Sequence, residues 1–189
     1  QGDPLDPEIP VRYHAAVADA AGIPLIAFQL QPALGGVNYG PGTIARIMEL
    51  DGVVAIKEAS FDAKRFLETA RIVASLPEPK VILNGNDNFL LEAYVLGAEG
   101  ALLGFGTLAA TDQVEMLRAF RDGDTKRAFG LQQKLQPLCD EIFAPPVRNY
   151  RARIKHALVR LDIIDHDYVR PPLLPLNDAE RDRVDRAMK

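Results

Sequence analysis

Several features are missing from this sequence, and each absence excludes a class of function. Cys139 is the only cysteine, so no disulfide can form within the chain and no cysteine-based zinc site is expected. No apolar run approaches the roughly 18 to 20 residues that a membrane helix needs, so we predict no membrane contact. The chain also lacks GxSxG, phosphate-loop and HExxH motifs, the common signatures of serine hydrolases, nucleotide-binding loops and zinc proteases.

The charge balance excludes a further class of partner. A net charge of −4 and a pI near 5.4 argue against a general nucleic-acid binder. The 189 residues are 48% hydrophobic, which is enough for a sizeable core. The first residues, Gln1-Gly2-Asp3-Pro4, lack the basic and apolar regions of a signal peptide, so we expect a soluble cytoplasmic protein. Because the sequence opens without methionine, we also expect a piece of a longer chain.

A strand followed by a helix recurs four times in the first part of the chain, with short connections. The predicted strands are 24–28, 53–57, 81–85 and 100–106. This alternation predicts an α/β protein with parallel strands, right-handed crossovers and helices packed outside the sheet. Only helices are expected after residue 110, so we predict one domain over 1–110 and a helical region over 111–189.

One predicted strand runs directly into a lysine. The residues Val53-Val54-Ala55-Ile56 are typical of a strand buried on both faces, and Lys57 follows them at the strand end. A lysine beside apolar walls loses solvation, which lowers its pKa, and a neutral amine can condense with a carbonyl. Lys57 is therefore a candidate for Schiff-base formation, and Glu58 is expected to face away from it. The alternative is a lysine that simply reaches solvent, which the local pattern taken alone favours.

Residues at the other strand ends complete the candidate site, because parallel α/β proteins bind ligands at these ends. Gly85 and Asn86 could present backbone N–H groups and a side-chain amide to a substrate carboxylate. Asp87 could join them, but its place before a helix favours N-capping. Gly104 either lets a ligand approach the backbone or serves a tight turn, and the sequence leaves both open. Phe28 is interpreted as a wall of the site rather than a direct contact.

The histidines and a basic run indicate no site of their own. His14, His156 and His166 are scattered along the chain, and each is expected at the surface or in packing. The basic residues between Arg148 and Arg160 have the spacing of a solvated helix face, which we favour over an anion site.

The lysine segment, together with three other stretches, resembles a known family. The run VVAIKEAS at 53–60 is similar to the Schiff-base lysine segment of the dihydrodipicolinate synthase and N-acetylneuraminate lyase family. Further stretches follow the order and spacing of that family. GIPLIAF at 22–28 resembles its fifth barrel strand, LNGND at 83–87 its Gly-Asp-Asp turn, and LGAEGAL at 96–102 the run into strand eight. With the helical tail, the resemblance covers essentially the whole chain.

The resemblance implies a fold and an activity. The fold would be a (β/α)8 TIM barrel, with only strands five to eight in this chain, followed by C-terminal helices. Lys57 would form an imine with pyruvate or a related 2-oxo acid, without a cofactor or metal, in a lyase, an aldolase or a dehydratase. Leu102 would line the pocket, and the family usually has an aspartate where Asn86 stands. A homo-oligomer, either a dimer or a tetramer, is expected. The expected substrate-binding residues are Phe28, Gly85, Asn86, Leu102 and Gly104.

The sequence also departs from the family pattern. The catalytic tyrosine that the family carries at the end of strand four would fall near Gln1 and Gly2, and Gln29 replaces the usual asparagine. These departures argue against a strict dihydrodipicolinate synthase and leave the substrate and the reaction direction open. Two alternatives remain: a non-catalytic barrel that binds a small carboxylate or regulates a partner, and a structural fragment that completes an oligomer.

Overall fold

Parallel strands lie side by side in the order in which they occur in the chain. The computed structural model describes residues 6–189, and within them a four-stranded sheet has the order β1-β2-β3-β4. The strands are β1 (Leu25–Leu30), β2 (Val53–Ala59), β3 (Val81–Asn84) and β4 (Gly100–Ala101). Each neighbouring pair is parallel, so the predicted α/β class with parallel strands is confirmed.

Helices connect the strands and then continue without them. The helices that alternate with the strands are α1 (Glu8–Ala21), α2 (Pro41–Met48), α3 (Ala63–Ala74) and α4 (Leu90–Val95). The helices that follow β4 are α5 (Gly106–Arg121), α6 (Thr125–Ile142), α7 (Tyr150–Arg160) and α8 (Asp178–Ala187). Short 3-10 turns occur at Pro32–Leu34 and Val147–Asn149. Successive strands are joined through a helix, which is the connection that parallel pairing requires.

Helix α3 shows how the local sequence begins a helix and attaches it to the core. Asp62 is its N-cap, and Oδ1 of this side chain accepts hydrogen bonds from the backbone N–H groups of Lys64 and Arg65 at 2.9 and 3.2 Å. Phe66 and Val73 then recur on one face of the helix and are both buried. The helix therefore begins at a side-chain cap and packs against the core through one apolar face.

Two elements are shorter than the sequence predicts. The fourth strand pairs only at Gly100–Ala101, and α5 already begins at Gly106. The helix expected directly after Asp87 begins only at Leu90, because Phe89 keeps a non-helical backbone with φ −151° and ψ 75°. The loop after β3 is correspondingly longer than the pattern of apolar residues indicates.

The chain divides into two compact units, Gln1–Leu102 and Leu103–Lys189. The first unit contains the sheet with α1 to α4, and the second contains α5 to α8. Within the second unit, α5 packs against α6, and α8 packs against both α6 and α7. The sequence-based division after residue 110, into one domain and a helical region, stays a prediction.

One arginine of the basic run lies inside the second unit. Arg153 is fully buried, and its Nη1 donates to the carbonyl oxygens of Ile142 and Ala144 at 3.1 and 2.5 Å. Its Nη2 also lies 3.5 Å from Oε1 of Glu180. The prediction of a solvated helix face is wrong at this position, because the guanidinium satisfies carbonyl groups left unpaired at the end of α6.

We predict that Phe66→Ala lowers the free energy of unfolding by about 3–5 kcal/mol. The Phe66 ring is fully buried and meets the Phe89 ring edge-on, with 5.9 Å between ring centroids, so its removal leaves a cavity. The same change at the exposed Phe129 should cost no more than about 0.5–1 kcal/mol. Urea denaturation of the two variants checks the prediction, and equal losses would contradict the assigned packing.

Candidate active site

Lys57 lies in the middle of the sheet, between a phenylalanine and a leucine of the neighbouring strands. Its register partners are Phe28 of β1 and Leu83 of β3. The sequence predicts that this strand ends at the lysine. The strand instead continues to Ala59, because β1 pairs with β2 up to that residue. Lys57 therefore projects from paired, fixed backbone and not from a loop.

The amine of Lys57 is partly withdrawn from water. Burial lowers the pKa of this amine, because a low-dielectric environment disfavours the ammonium form. The carboxylate of Asp87 attracts the ammonium and opposes the change in pKa, but burial is the larger effect. The nitrogen lies 4.4 Å from the centroid of the Phe28 ring, within the range of a cation–π contact. The amine is therefore partly shielded from bulk solvent, and its reactivity stays a prediction.

Gly85 allows the backbone after β3 to approach the lysine closely. A Cβ atom at this position would lie 2.8 Å from Cε of Lys57 and 2.7 Å from Cβ of Ala59. Both distances are shorter than van der Waals contact, so a larger residue would displace the lysine side chain. The N–H of Gly85 donates to the carbonyl oxygen of Glu58 at 2.7 Å. This N–H is thus already used within the sheet.

Exposed apolar side chains surround Lys57 on its face of the sheet. Ile26 and Phe28 alternate along β1 and are 52% and 43% exposed. Leu102 follows Gly100 by two positions, and Gly100 belongs to the row of the sheet that includes Lys57. Leu102 is therefore placed on the same face, where it is 58% exposed. The first unit presents an apolar surface with one amine in it.

Gly104 lies in the second unit, where it belongs to the turn that opens α5. Its carbonyl oxygen accepts from Oγ1 of Thr107 at 3.0 Å and from the backbone N–H of Thr107 at 3.4 Å. The turn accounts for one of the two roles expected for this glycine. Its contact with a ligand stays a prediction.

The opposite face of the same strands carries polar side chains that are completely buried. Gln29, Glu58, Asn84 and Asn86 are each 0% exposed. Nε2 of Gln29 donates to Oε1 of Glu58 at 3.0 Å, and Nδ2 of Asn86 donates to Oε2 of Glu58 at 2.7 Å. The prediction that Glu58 faces away from Lys57 is confirmed. We call these four residues the buried polar cluster.

Asn86 does not have the open position expected of a substrate contact. Its Nδ2 donates to Glu58, and its Oδ1 accepts from the backbone N–H of Phe61 at 2.5 Å. Donors and acceptors of this amide are thus used within the protein, and the side chain has no exposed surface. The structure thus gives the Asn86 side chain a hydrogen-bonding role between loops, and its contact with a substrate stays a prediction.

Asp87 acts on Lys57, a role that the local sequence pattern does not predict. The pattern predicts that its side chain caps α4, yet α4 begins at Leu90 without a side-chain cap. Asp87 is buried to 8% exposure, and its carboxylate acts on the Lys57 amine. A signal was present in the sequence, because the ends of neighbouring parallel strands converge at one edge of the sheet. The capping preference of aspartate before a helix obscured it.

A metal-binding cluster and a membrane-spanning helix are both absent from the residues that the structure describes. Within residues 6–189, no three His, Cys, Asp or Glu side chains are grouped so that they could hold a metal ion. In this described part of the chain no helix has both the length and the apolar character to cross a membrane. Gln1 and Gly2, the positions nearest to the family's catalytic tyrosine, lie outside the described residues.

Comparison with known proteins assigns the chain to a family. The dihydrodipicolinate synthetase family matches residues 6–189, so the chain belongs to this family. The 4-hydroxy-tetrahydrodipicolinate synthase of Syntrophobacter fumaroxidans is 32% identical over 173 residues, which make up 92% of this chain and 57% of that protein. The curated relatives are named as synthases, which supports an enzyme at the level of the family.

Solved structures show the same fold. A dihydrodipicolinate synthase of Bacillus anthracis is 27% identical, with a TM-score of 0.83 over 97% of this chain and 60% of that one. A monomeric dihydrodipicolinate synthase variant is 22% identical, with a TM-score of 0.85 over the same shares of the two chains. The fold of the chain is that of a (β/α)8-barrel family. The chain spans less than two thirds of the length of these relatives.

We predict that Lys57 reacts with acetic anhydride at lower pH than the exposed Lys126. Only a neutral amine is acylated, and the lowered pKa of Lys57 makes its neutral form available before that of a solvated lysine as pH rises. Peptide mass spectrometry over a pH series gives both titration midpoints in one sample. Coincident midpoints would show that burial does not act on this amine.

Asp87→Asn should move the Lys57 midpoint still lower. The aspartate carboxylate raises the pKa of the amine, so its removal leaves burial unopposed. Asp51→Asn is the matched control, because Asp51 is exposed in the same unit and should leave the midpoint in place. A midpoint that rises in Asp87→Asn would mean that the carboxylate does not act on Lys57.

Proposed function

We propose that the protein is a Schiff-base-forming lyase or aldolase, or a dehydratase, that acts on pyruvate or a related 2-oxo acid. Lys57 is the amine that captures the ketone. The observation that carries this proposal is the partly buried Lys57 amine, whose pKa is lowered by burial. It projects from a fixed strand in a chain that belongs to the dihydrodipicolinate synthetase family.

The proposed chemistry starts with the neutral amine. Its lone pair attacks the ketone carbon of the 2-oxo acid, and loss of one water molecule leaves an imine on Lys57. Once protonated, the imine withdraws electrons from the adjacent carbon, so that a carbon–carbon bond there can form or break, or water can leave. The carboxylate of Asp87, which acts on the same nitrogen, stabilises the positive charge that this step requires.

The surroundings of the amine fit the carbon skeleton of a small substrate. Phe28 and Leu102 offer apolar walls on the face that carries Lys57, and Gly85, which has no side chain, leaves the space that Cε of Lys57 needs. Because the N–H of Gly85 is bonded to Glu58, a substrate carboxylate needs other donors.

We further propose that β1 to β4 are strands five to eight of the barrel. The chain covers 57% of the relative with 32% identity, which is consistent with half a barrel and a helical tail. Ile26, Phe28 and Leu102 are exposed on one face of the sheet, as inward-facing residues of a barrel would be before the other strands close it. A cytoplasmic location and a homo-oligomer are part of this proposal and rest on the sequence and the resemblance.

The substrate is proposed only as a class. The relatives are named 4-hydroxy-tetrahydrodipicolinate synthase, whereas Gln29 stands where the family usually has asparagine. In this structure Gln29 serves the buried polar cluster through its bond to Glu58. A 2-oxo acid remains common to the synthase, aldolase and dehydratase alternatives. Membership of this family gives no support to the non-catalytic alternative.

Borohydride trapping tests the proposal directly. Treating the intact protein with pyruvate and borohydride should add the mass of reduced pyruvate to the peptide that contains Lys57, because the reductant fixes the imine as a secondary amine. Lys57→Arg should abolish the adduct, whereas Lys64→Arg, which changes an exposed lysine of the same unit, should retain it. Absence of any adduct at Lys57 under saturating pyruvate would reject the proposed function.

A further inference from the structure

Glu58 is a buried carboxylate that has no cationic partner within the buried polar cluster. Oε1 accepts hydrogen bonds from Nε2 of Gln29 at 3.0 Å and from the backbone N–H of Ser60 at 3.2 Å. Oε2 accepts from Nδ2 of Asn86 at 2.7 Å. Burying a carboxylate is costly unless such donors satisfy it. A well-packed apolar residue could fill the same space, so stability alone does not explain the choice of glutamate.

The amide of Asn86 extends this hydrogen bonding to two loops. Besides Oε2 of Glu58, its Nδ2 has the carbonyl oxygen of Glu58 at 2.8 Å and Oδ1 of Asn84 at 2.9 Å, so its two hydrogens are shared among three acceptors. Its Oδ1 accepts from the N–H of Phe61, a non-glycine residue with φ of +60°. A positive φ is unfavourable for such a residue, and the hydrogen bond helps to hold it. The cluster therefore connects the loop after β2 with the loop after β3.

The residues on either side of Asn86 both influence Lys57. Gly85 precedes it and lies against Cε of the lysine, and Asp87 follows it and acts on the amine. When the amide of Asn86 is fixed on one face of the sheet, the positions of its two neighbours on the lysine side are restricted. Glu58 itself follows Lys57 in β2 and points to the opposite face.

We propose that Glu58 is a positioning residue for Lys57. Through Asn86, its buried carboxylate holds the loop after β3 against the reactive amine, and Glu58 does not itself touch substrate. This inference rests on the proposed function, in that Lys57 is taken as the reacting group. It assigns to the opposite face of β2 a role in the reaction that packing alone does not require.

The test compares Glu58→Gln with Glu78→Gln in the intact protein, since Glu78 is exposed in the same unit. Acetylation of Lys57 against pH is measured beside pyruvate–borohydride trapping, and circular dichroism reports folding. In Glu58→Gln the loop should withdraw and water should reach the amine. Burial is the larger effect on its pKa, so the midpoint should rise, opposite to Asp87→Asn, and trapping should slow about ten-fold. Glu78→Gln should change neither reading.

Asn86→Ala provides a second route to the same loop and leaves Glu58 two of its donors. It should raise the Lys57 midpoint and slow trapping in the same way. A folded Glu58→Gln protein with an unchanged midpoint and an unchanged trapping rate overturns the inference. Loss of folding in both variants also overturns it, because the cluster would then be purely structural.

The two proposals fail in different ways. If the wild-type protein forms no pyruvate adduct, the proposed function is rejected, but the acetylation midpoints still decide whether Glu58 governs the amine. If the wild-type protein forms the adduct and the Lys57 midpoint of Glu58→Gln equals that of the wild type, the proposed function stands and the positioning role of Glu58 is rejected.

Discussion

The desolvation of a single amine is the constraint on which the candidate site depends. Lys57 stands on a paired strand, with the Phe28 ring on one side and the backbone of Gly85 on another. Withdrawal from water disfavours its ammonium form, and the carboxylate of Asp87 only partly restores it. An amine held in this balance can be neutral when it attacks a carbonyl and can carry charge once it has reacted. Fold, pairing register and loop geometry all contribute to that balance.

The alternation of side chains along β2 separates two tasks. One face offers Lys57 among exposed apolar residues, and the other carries the buried Glu58 with its hydrogen-bond donors. Because neighbouring residues of a strand point in opposite directions, a change on the buried face can reach the lysine only through the backbone or through the loop after β3. Asn86 provides the second connection, since its amide joins Glu58 to that loop.

Much of the architecture could be predicted from the sequence, because apolar runs and turn residues mark parallel strands and helices clearly. The strand with Lys57 follows from its continuous apolar run, and the direction of Glu58, away from Lys57, follows from the two-residue period of a strand. The short β4 and the late start of α4 did not, since both depend on where loops close in space. The positions of Asn86 and Asp87 depend on long-range hydrogen bonds and charge, which local preferences do not contain.

A crystal structure of the intact protein with pyruvate would test the central claim most directly. The account predicts continuous density from Nζ of Lys57 to the former ketone carbon, on the face of the sheet that carries Phe28 and Leu102. Pyruvate bound elsewhere, with the Lys57 amine unmodified and turned towards bulk solvent, would contradict it.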